Sequence, residues 1–178
     1  SEKGYSPETV KNDKENTYIL NMAREWNEMV NSFDVERLAR NLHEIGCGYY
    51  FITVMQGTRF LLAPNEAYTR ITGIKTGDGC PERDLIMDIG MALKKYDIDL
   101  YLYYTGDGPH FDKVAGPRMG MYEDYEIGIH GRVNRSFVEN WAAVLEEYAV
   151  RYGDLIKGWW VDGCYEHLGY NNELLSIY

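Results

Sequence analysis

Three times along this chain an apolar stripe at helical spacing is followed, after a very short break, by a run of apolar, β-branched and aromatic residues. In the first unit, FDVERLARNLHEIGCGYYFITV, the stripe is Val35, Leu38, Ala39, Leu42 and Ile45. Asp34 is placed as the N-cap and Gly46 as the stop, and Tyr49 to Val54 reads as a strand buried on both faces. In the second, PERDLIMDIGMALKKYDIDLYLYYTGDG, Ile86, Ile89, Leu93 and Tyr96 make the stripe, Pro81 suits the first turn, and Ile98 to Tyr104 is the strand. In the third, SFVENWAAVLEEYAVRYGDLIKGWWVDG, Ser136 and Glu139 form a capping box ahead of Val138, Trp141, Ala142, Leu145, Tyr148 and Ala149. Gly153 ends that helix, and Leu155 to Val161 is the strand.

Helices alternating with such strands specify an α/β fold with a parallel sheet. The connections then discriminate between architectures. Helix-to-strand links are a few residues long, whereas the strand-to-helix links run roughly from Met55 to Cys80 and from Thr105 to Arg135. Long loops on the carboxyl side only are the mark of a (β/α)8 (TIM) barrel, whose active site is built there. A doubly wound sheet also binds ligands at that edge, but the barrel fits the pattern better. Three strands make only part of a barrel. The expected organisation is a weakly structured N-terminal extension over residues 1–25, with Thr17 to Met22 as a weak strand, and a partial barrel over residues 26–178. Open barrel edges would allow pairing with a second copy or another chain.

Composition narrows the function. At 178 residues and a net charge of −10, without a basic run, the chain is no candidate for phosphate-backbone or anionic-membrane binding. No stretch has the ~20 apolar residues of a membrane span. Sixteen tyrosines and four tryptophans suit a core or a surface on which sugar rings stack. Cys47, Cys80 and Cys164 show no metal-ligand spacing, and no phosphate loop or dinucleotide fingerprint is present, so no cofactor or metal is expected. There is no signal peptide, but the chain opens on Ser1, so its compartment stays open.

Each strand delivers polar groups where it stops. The first presents Gln56, Thr58 and Arg59; the second Tyr104, Thr105 and Asp107; the third Asp162, Tyr165, Glu166 and His167. Asp162 closes an apolar strand, where a carboxylate serves as nucleophile or base, or simply starts an Asp-Gly turn. Of Trp159 and Trp160, which alternate faces, one would line a sugar pocket and the other pack outward. Asp107 in TGDGP reads first as a turn carboxylate. Glu166 and His167 read as solvated loop residues, and Gln56 and Arg59 as sugar-hydroxyl ligands or rim residues. His43 reads as surface, and His110 and His130 lie in the second long loop without metal-ligand spacing. Asn134–Ser136 matches a glycosylation sequon but reads better as a helix start.

The order LARNLHEIGCGYYFITV, ERDLIMDIGMALKKYDIDLYLYYT and VLEEYAVRYGDLIKGWWVDG resembles the α-L-fucosidases of glycoside hydrolase family 29, and more closely a fucosidase-like bacterial branch. The resemblance spans about residues 25–165. It implies a (β/α)8 barrel, a retaining exo-glycosidase mechanism, a carbohydrate substrate, no metal, and a periplasmic or secreted setting. It makes the three strands the second to fourth of the barrel. The family's nucleophile is an aspartate in a W-x-D-G context at the end of the fourth strand; the matching residue is Asp162 in WWVDG. Gln56, Arg59, Tyr104, Asp107, Trp159, Trp160 and Tyr165 would then surround the sugar. Three departures stand out: VMQGTRF carries Gln56 where the family has a histidine pair, the first strand with its usual histidine is not recognisable, and the family's acid/base comes from sequence beyond the fourth strand, so it is expected outside this chain. The alternative is a module that binds sugars without cleaving them, or an inactive half barrel associating with another chain.

Overall fold

The structure, a computed structural model, describes residues 13–121 and 133–178, with side chains from residue 19 onward. Its order is α1 (Asp13–Ser32), α2 (Val35–Glu44), β1 (Tyr49–Thr53), α3 (Glu66–Thr72), α4 (Leu85–Lys94), β2 (Asp99–Thr105), α5 (Ala115–Arg118), α6 (Arg135–Tyr152), β3 (Ile156–Asp162) and α7 (Asn172–Leu175). Short 3-10 turns at Gly153–Leu155 and Glu166–Leu168 flank β3. The sheet is parallel with order β1-β2-β3. Consecutive parallel strands joined by helical crossovers give the α/β fold of a partial barrel.

Local chemistry fixes the helix ends. Asp34 caps α2 by accepting from Arg37 N–H, and Gly46, at φ 76°, takes the left-handed turn that leads to β1. The start of α4 is not Pro81 but Asp84, whose carboxylate accepts from Met87 N–H. For α6 the cap is Asn134, accepting from Phe137 N–H at 3.0 Å, two residues before the expected Ser136. In place of a weak strand at Thr17–Met22 the chain forms the 20-residue helix α1. Its Ala23 and Val30 are buried, and Trp26 donates from its indole N–H to Leu61 O at 2.8 Å.

One face of the sheet carries Tyr50, Ile52, Val54, Leu100, Leu102, Tyr104, Trp159 and Val161, since side chains alternate along a strand. This face packs on α4 and α6 through Ile86, Ile89, Leu93, Phe137, Val138, Trp141, Val144 and Tyr148. The buried line on α6 runs through Val144 to Tyr152, and Ala149 is exposed. The opposite face carries Tyr49, Phe51, Thr53, Tyr101, Tyr103, Trp160 and Asp162. β1 is therefore not buried on both faces: Tyr49, Phe51 and Thr53 are exposed. Three strands do not close a barrel, and the face opposite the helices carries the exposed Tyr49, Phe51 and Trp160. Its rings cover one another instead, Phe51 stacking on Tyr101 at 4.9 Å and meeting Trp160 edge-on at 5.9 Å.

The long loop after β1 is held down by α6. Tyr148 donates its hydroxyl proton to Ala63 O at 2.8 Å, Tyr152 donates to Asp84 at 3.0 Å, and Asn65 reaches Val144 O at 3.1 Å. These bonds tie the segment from Ala63 to Asp84 to the second half of α6.

Candidate functional site

The register decides what shares a face with Asp162. Thr105 on β2 is opposite Asp162 on β3, and Tyr103 is opposite Trp160. The period of two then brings Tyr103, not Tyr104, to the carboxylate. The Tyr103 hydroxyl donates to Oδ2 of Asp162 at 2.7 Å. On Oδ1, the Tyr165 hydroxyl donates at 2.9 Å and the N–H of Gly163 at 2.8 Å. The Tyr103 bond first, then the Gly163 amide, then Tyr165 hold Asp162 below the ordinary carboxylate pKa, against partial desolvation. Tyr103 is in turn pushed up to about 12, by desolvation first and the bond to Asp162 second. Asp162 is thus an anion fixed by three donors. Among the described residues these three donors take up most of the about four acceptor sites that a carboxylate offers.

Asp107 stands on the other side of Gly163. The Thr105 hydroxyl donates to its Oδ1, and Nδ1 of His110 lies 3.2 Å from its Oδ2. Both side chains of this Asp–His pair are largely buried. The loop after β1 joins them: Phe111 N–H donates to Gly57 O at 2.7 Å, and a Cβ on Gly57 would lie 3.2 Å from the His110 ring. The three strand ends therefore meet on one rim, with Gly57, His110, Asp107, Gly163 and Asp162 in succession across it. Rings border the carboxylate: Trp160 is 56% exposed and Tyr165 50% exposed.

Not every expected site residue is in this group. Tyr104 lies on the helix-facing side, fully buried, donating its hydroxyl proton to Trp141 O at 2.7 Å and stacking on that indole at 4.7 Å. Trp159 also faces the helices, edge-on to Tyr104 at 6.2 Å. Arg59 is buried in a two-pronged ion pair with Asp112, at 2.5 and 2.8 Å, so its guanidinium serves the loop rather than the rim. Gln56 is exposed at the end of β1, next to Gly57. Glu166 and His167 are exposed, the His167 ring stacked on Tyr165 at 5.4 Å. His43 is exposed and stacks on Tyr96, and His130 lies outside the described residues. Tyr103 and the partnership of His110 with Asp107 were missed by sequence reading. No sequence signal separated Tyr103 from Tyr104: it is the register setting Thr105 opposite Asp162 that selects the odd-numbered residues of β2. Among the described residues there is no group of three acidic, histidine or cysteine ligands able to hold a metal, and no helix is long and apolar enough to cross a membrane.

Comparison with solved structures gives the fold its relatives. An α-L-fucosidase of glycoside hydrolase family 29 from Bacteroides thetaiotaomicron superposes with a TM-score of 0.58 at 26% identity, covering 82% of this chain and 30% of that one. The fold is fucosidase-like. A family 29 α-L-fucosidase from the same organism, trapped as a covalent intermediate in a mutant with 2-fluoro-fucosyl fluoride, gives a TM-score of 0.56, and a bacterial fucosidase with an iminocyclitol inhibitor gives 0.57, each at 26% identity and with the same coverage of both chains. The chain thus spans about a third of the length of these neighbours. No family model and no curated protein matches it.

Proposed function

We propose that this chain is the nucleophile-bearing segment of a retaining glycosidase acting on a terminal fucose-like sugar. The observation that supports it most is the state of Asp162: a carboxylate at the carboxyl-terminal end of a barrel strand, kept ionised by three donors, opening onto an aromatic face. In a retaining reaction such a group attacks the anomeric carbon and forms a glycosyl ester. Tyr103 and Tyr165 orient the carboxylate, Trp160 offers a platform for the sugar's apolar face, and Gln56 reaches its hydroxyls. Gln56 stands where a fucosidase has histidine, so the hydroxyl pattern recognised differs from that of the neighbours. No general acid is assigned among the described residues.

The fit to fucosidases trapped by a 2-fluoro sugar fluoride suggests the test. Fluoride departs with the C–F electron pair and needs no protonation. The bond from Asp162 oxygen to the anomeric carbon forms as the carbon–fluorine bond breaks, leaving an ester and fluoride ion. Incubation with 2-deoxy-2-fluoro-fucosyl fluoride, followed by peptide mass mapping, should place the added sugar on Asp162. Asp162→Asn should take up none. Labelling that persists in Asp162→Asn, or no labelling of the unaltered chain, would overturn the proposal.

A further inference from the structure

We propose that Asp107 is a positioning residue for Asp162 and acts through Gly163. The inference rests on the reading of Asp162 as nucleophile. Gly163 has φ 75°, a left-handed backbone that glycine adopts without strain, and its N–H donates to Oδ1 of the preceding aspartate at 2.8 Å. A Cβ on Gly163 would lie 3.0 Å from Oδ1 of Asp107, 3.2 Å from its Cγ, and 3.2 Å from Oγ1 of Thr105. The Asp107 carboxylate therefore sits against the bare Cα, in the space a side chain would fill. Glycine has the widest backbone freedom of any residue, so its conformation is set by what packs against it.

Asp107 is itself held in place. The Thr105 hydroxyl donates to Oδ1, and His110 stands against Oδ2. Thr105 is also the register partner of Asp162, which ties this cradle to the same rung of the sheet. The charge of Asp107 is felt all around: it is among the groups that raise the pKa of Tyr103, Cys164 and Tyr165. With the carboxylate withdrawn, the Asp162–Gly163 peptide plane is free to rotate, Asp162 ψ and Gly163 φ changing together; the Gly163 N–H then swings off Oδ1, and Asp162 keeps its two tyrosine donors. The nucleophile would then be less well aimed, while the sugar platform at Trp160 is untouched.

Two measurements on the full chain test this. The first is amide hydrogen exchange. In Asp107→Ala and in Asp107→Ser the Gly163 amide should exchange about tenfold faster, the factor for losing one charge-assisted bond. In Asp107→Asn, which keeps the shape and the acceptor for Thr105, it should stay within about twofold of the unaltered chain. General loosening would speed the strand amides too, so the effect must be confined to Gly163 and its neighbours. The second is the concentration dependence of labelling by 2-deoxy-2-fluoro-fucosyl fluoride. The limiting rate should fall about tenfold in Asp107→Ala, with the half-saturating concentration unchanged. Unchanged Gly163 exchange in both the Ala and Ser variants overturns the inference. So does a rise in the half-saturating concentration at constant limiting rate, which would make Asp107 a direct sugar ligand. Failure of the unaltered chain to label sinks the nucleophile reading instead, and Gly163 exchange still decides whether the cradle exists.

Discussion

The hydroxyl of Tyr103 points at Oδ2 of Asp162 diagonally across the β2–β3 pairing, 2.7 Å away, and each group shifts the other. Asp162 is drawn below the usual carboxylate range, and Tyr103 is pushed up to about 12. Tyr103→Phe removes the largest cause of the Asp162 shift. The Asp162 pKa should rise toward the ordinary carboxylate range, so the acid limb of labelling moves to higher pH. The linkage has the same sign. A carboxylate with a depressed folded pKa stabilises above its unfolded pKa and loses that contribution as pH falls through the folded value. Tyr103→Phe should therefore lessen the acid dependence of stability. Labelling rate and melting temperature, both followed against pH, check the two statements. An unshifted acid limb would detach Tyr103 from the ionisation of Asp162.

Tyr104 supplies the contrast, one residue on and one face over. Tyr104→Phe removes a buried hydroxyl bonded to Trp141 O but keeps the stacked ring. The cost should be about 1 kcal/mol in denaturant unfolding, with labelling of Asp162 unchanged. A loss of labelling without loss of stability would return Tyr104 to the sugar site.

The Arg59–Asp112 pair clamps the two long loops together. Asp112 accepts from Arg59 and also from the N–H groups of Val114 and Ala115 at 2.9 and 2.8 Å, which starts the turn into α5. Arg59→Ala leaves this carboxylate buried without its cation, which costs about 3–5 kcal/mol. Arg59→Lys should recover part of this, since an ammonium cannot make the two-pronged contact. Chemical denaturation distinguishes these outcomes. A surface-like loss under about 1 kcal/mol would remove Arg59 from the loop architecture.

Alkaline pH should act on the core. Tyr104, Tyr148 and Tyr68 are buried, and burial is the first cause of the raised pKa of each. A phenol whose folded pKa is raised favours folding below its unfolded pKa, ~10. That contribution is lost as pH climbs from there toward the folded value. The melting temperature should fall above about pH 10, and phenolate absorbance from these residues should appear only with unfolding. Full ionisation of all the tyrosines near pH 10 in a still-folded chain would contradict this.

Much of this architecture was readable from spacing. The three helical stripes, apart from Ile45 and Ala149, which are exposed, the strands that follow them and Asp34 and Gly153 as boundaries all rest on local periodicity and capping, which survive in any tertiary setting. What could not be read depends on partners distant in sequence. Asp84 caps α4 and is also held by Tyr152, 68 residues away. Trp26 docks α1 through a bond to Leu61 O, so the helix is secured by the loop after β1 rather than by propensity. At the site, Asp162 was visible because it interrupts an apolar run. Tyr103 and Tyr104 were interchangeable until the β2–β3 register put Thr105 opposite Asp162. Arg59 carried a charge that sequence alone could aim at either solvent or a partner, and Asp112 settles it.

The two faces of the sheet should answer differently to the same kind of truncation. Leu102 is wholly buried against the helices, whereas Phe51, two strand positions beyond Tyr49, is 38% exposed on the open face. Leu102→Ala removes atoms from a close-packed core and should cost about 2–5 kcal/mol. Phe51→Ala loses only its ring contacts with Tyr101, Trp160 and Tyr49, which as cross-strand pairing amounts to about 1 kcal/mol. The ratio of the two, from urea unfolding of the chain by itself, reports whether the aromatic face is uncovered in solution. If Phe51→Ala proved as costly as Leu102→Ala, something must bury that face, and the loss would then depend on protein concentration where the cover is a second copy.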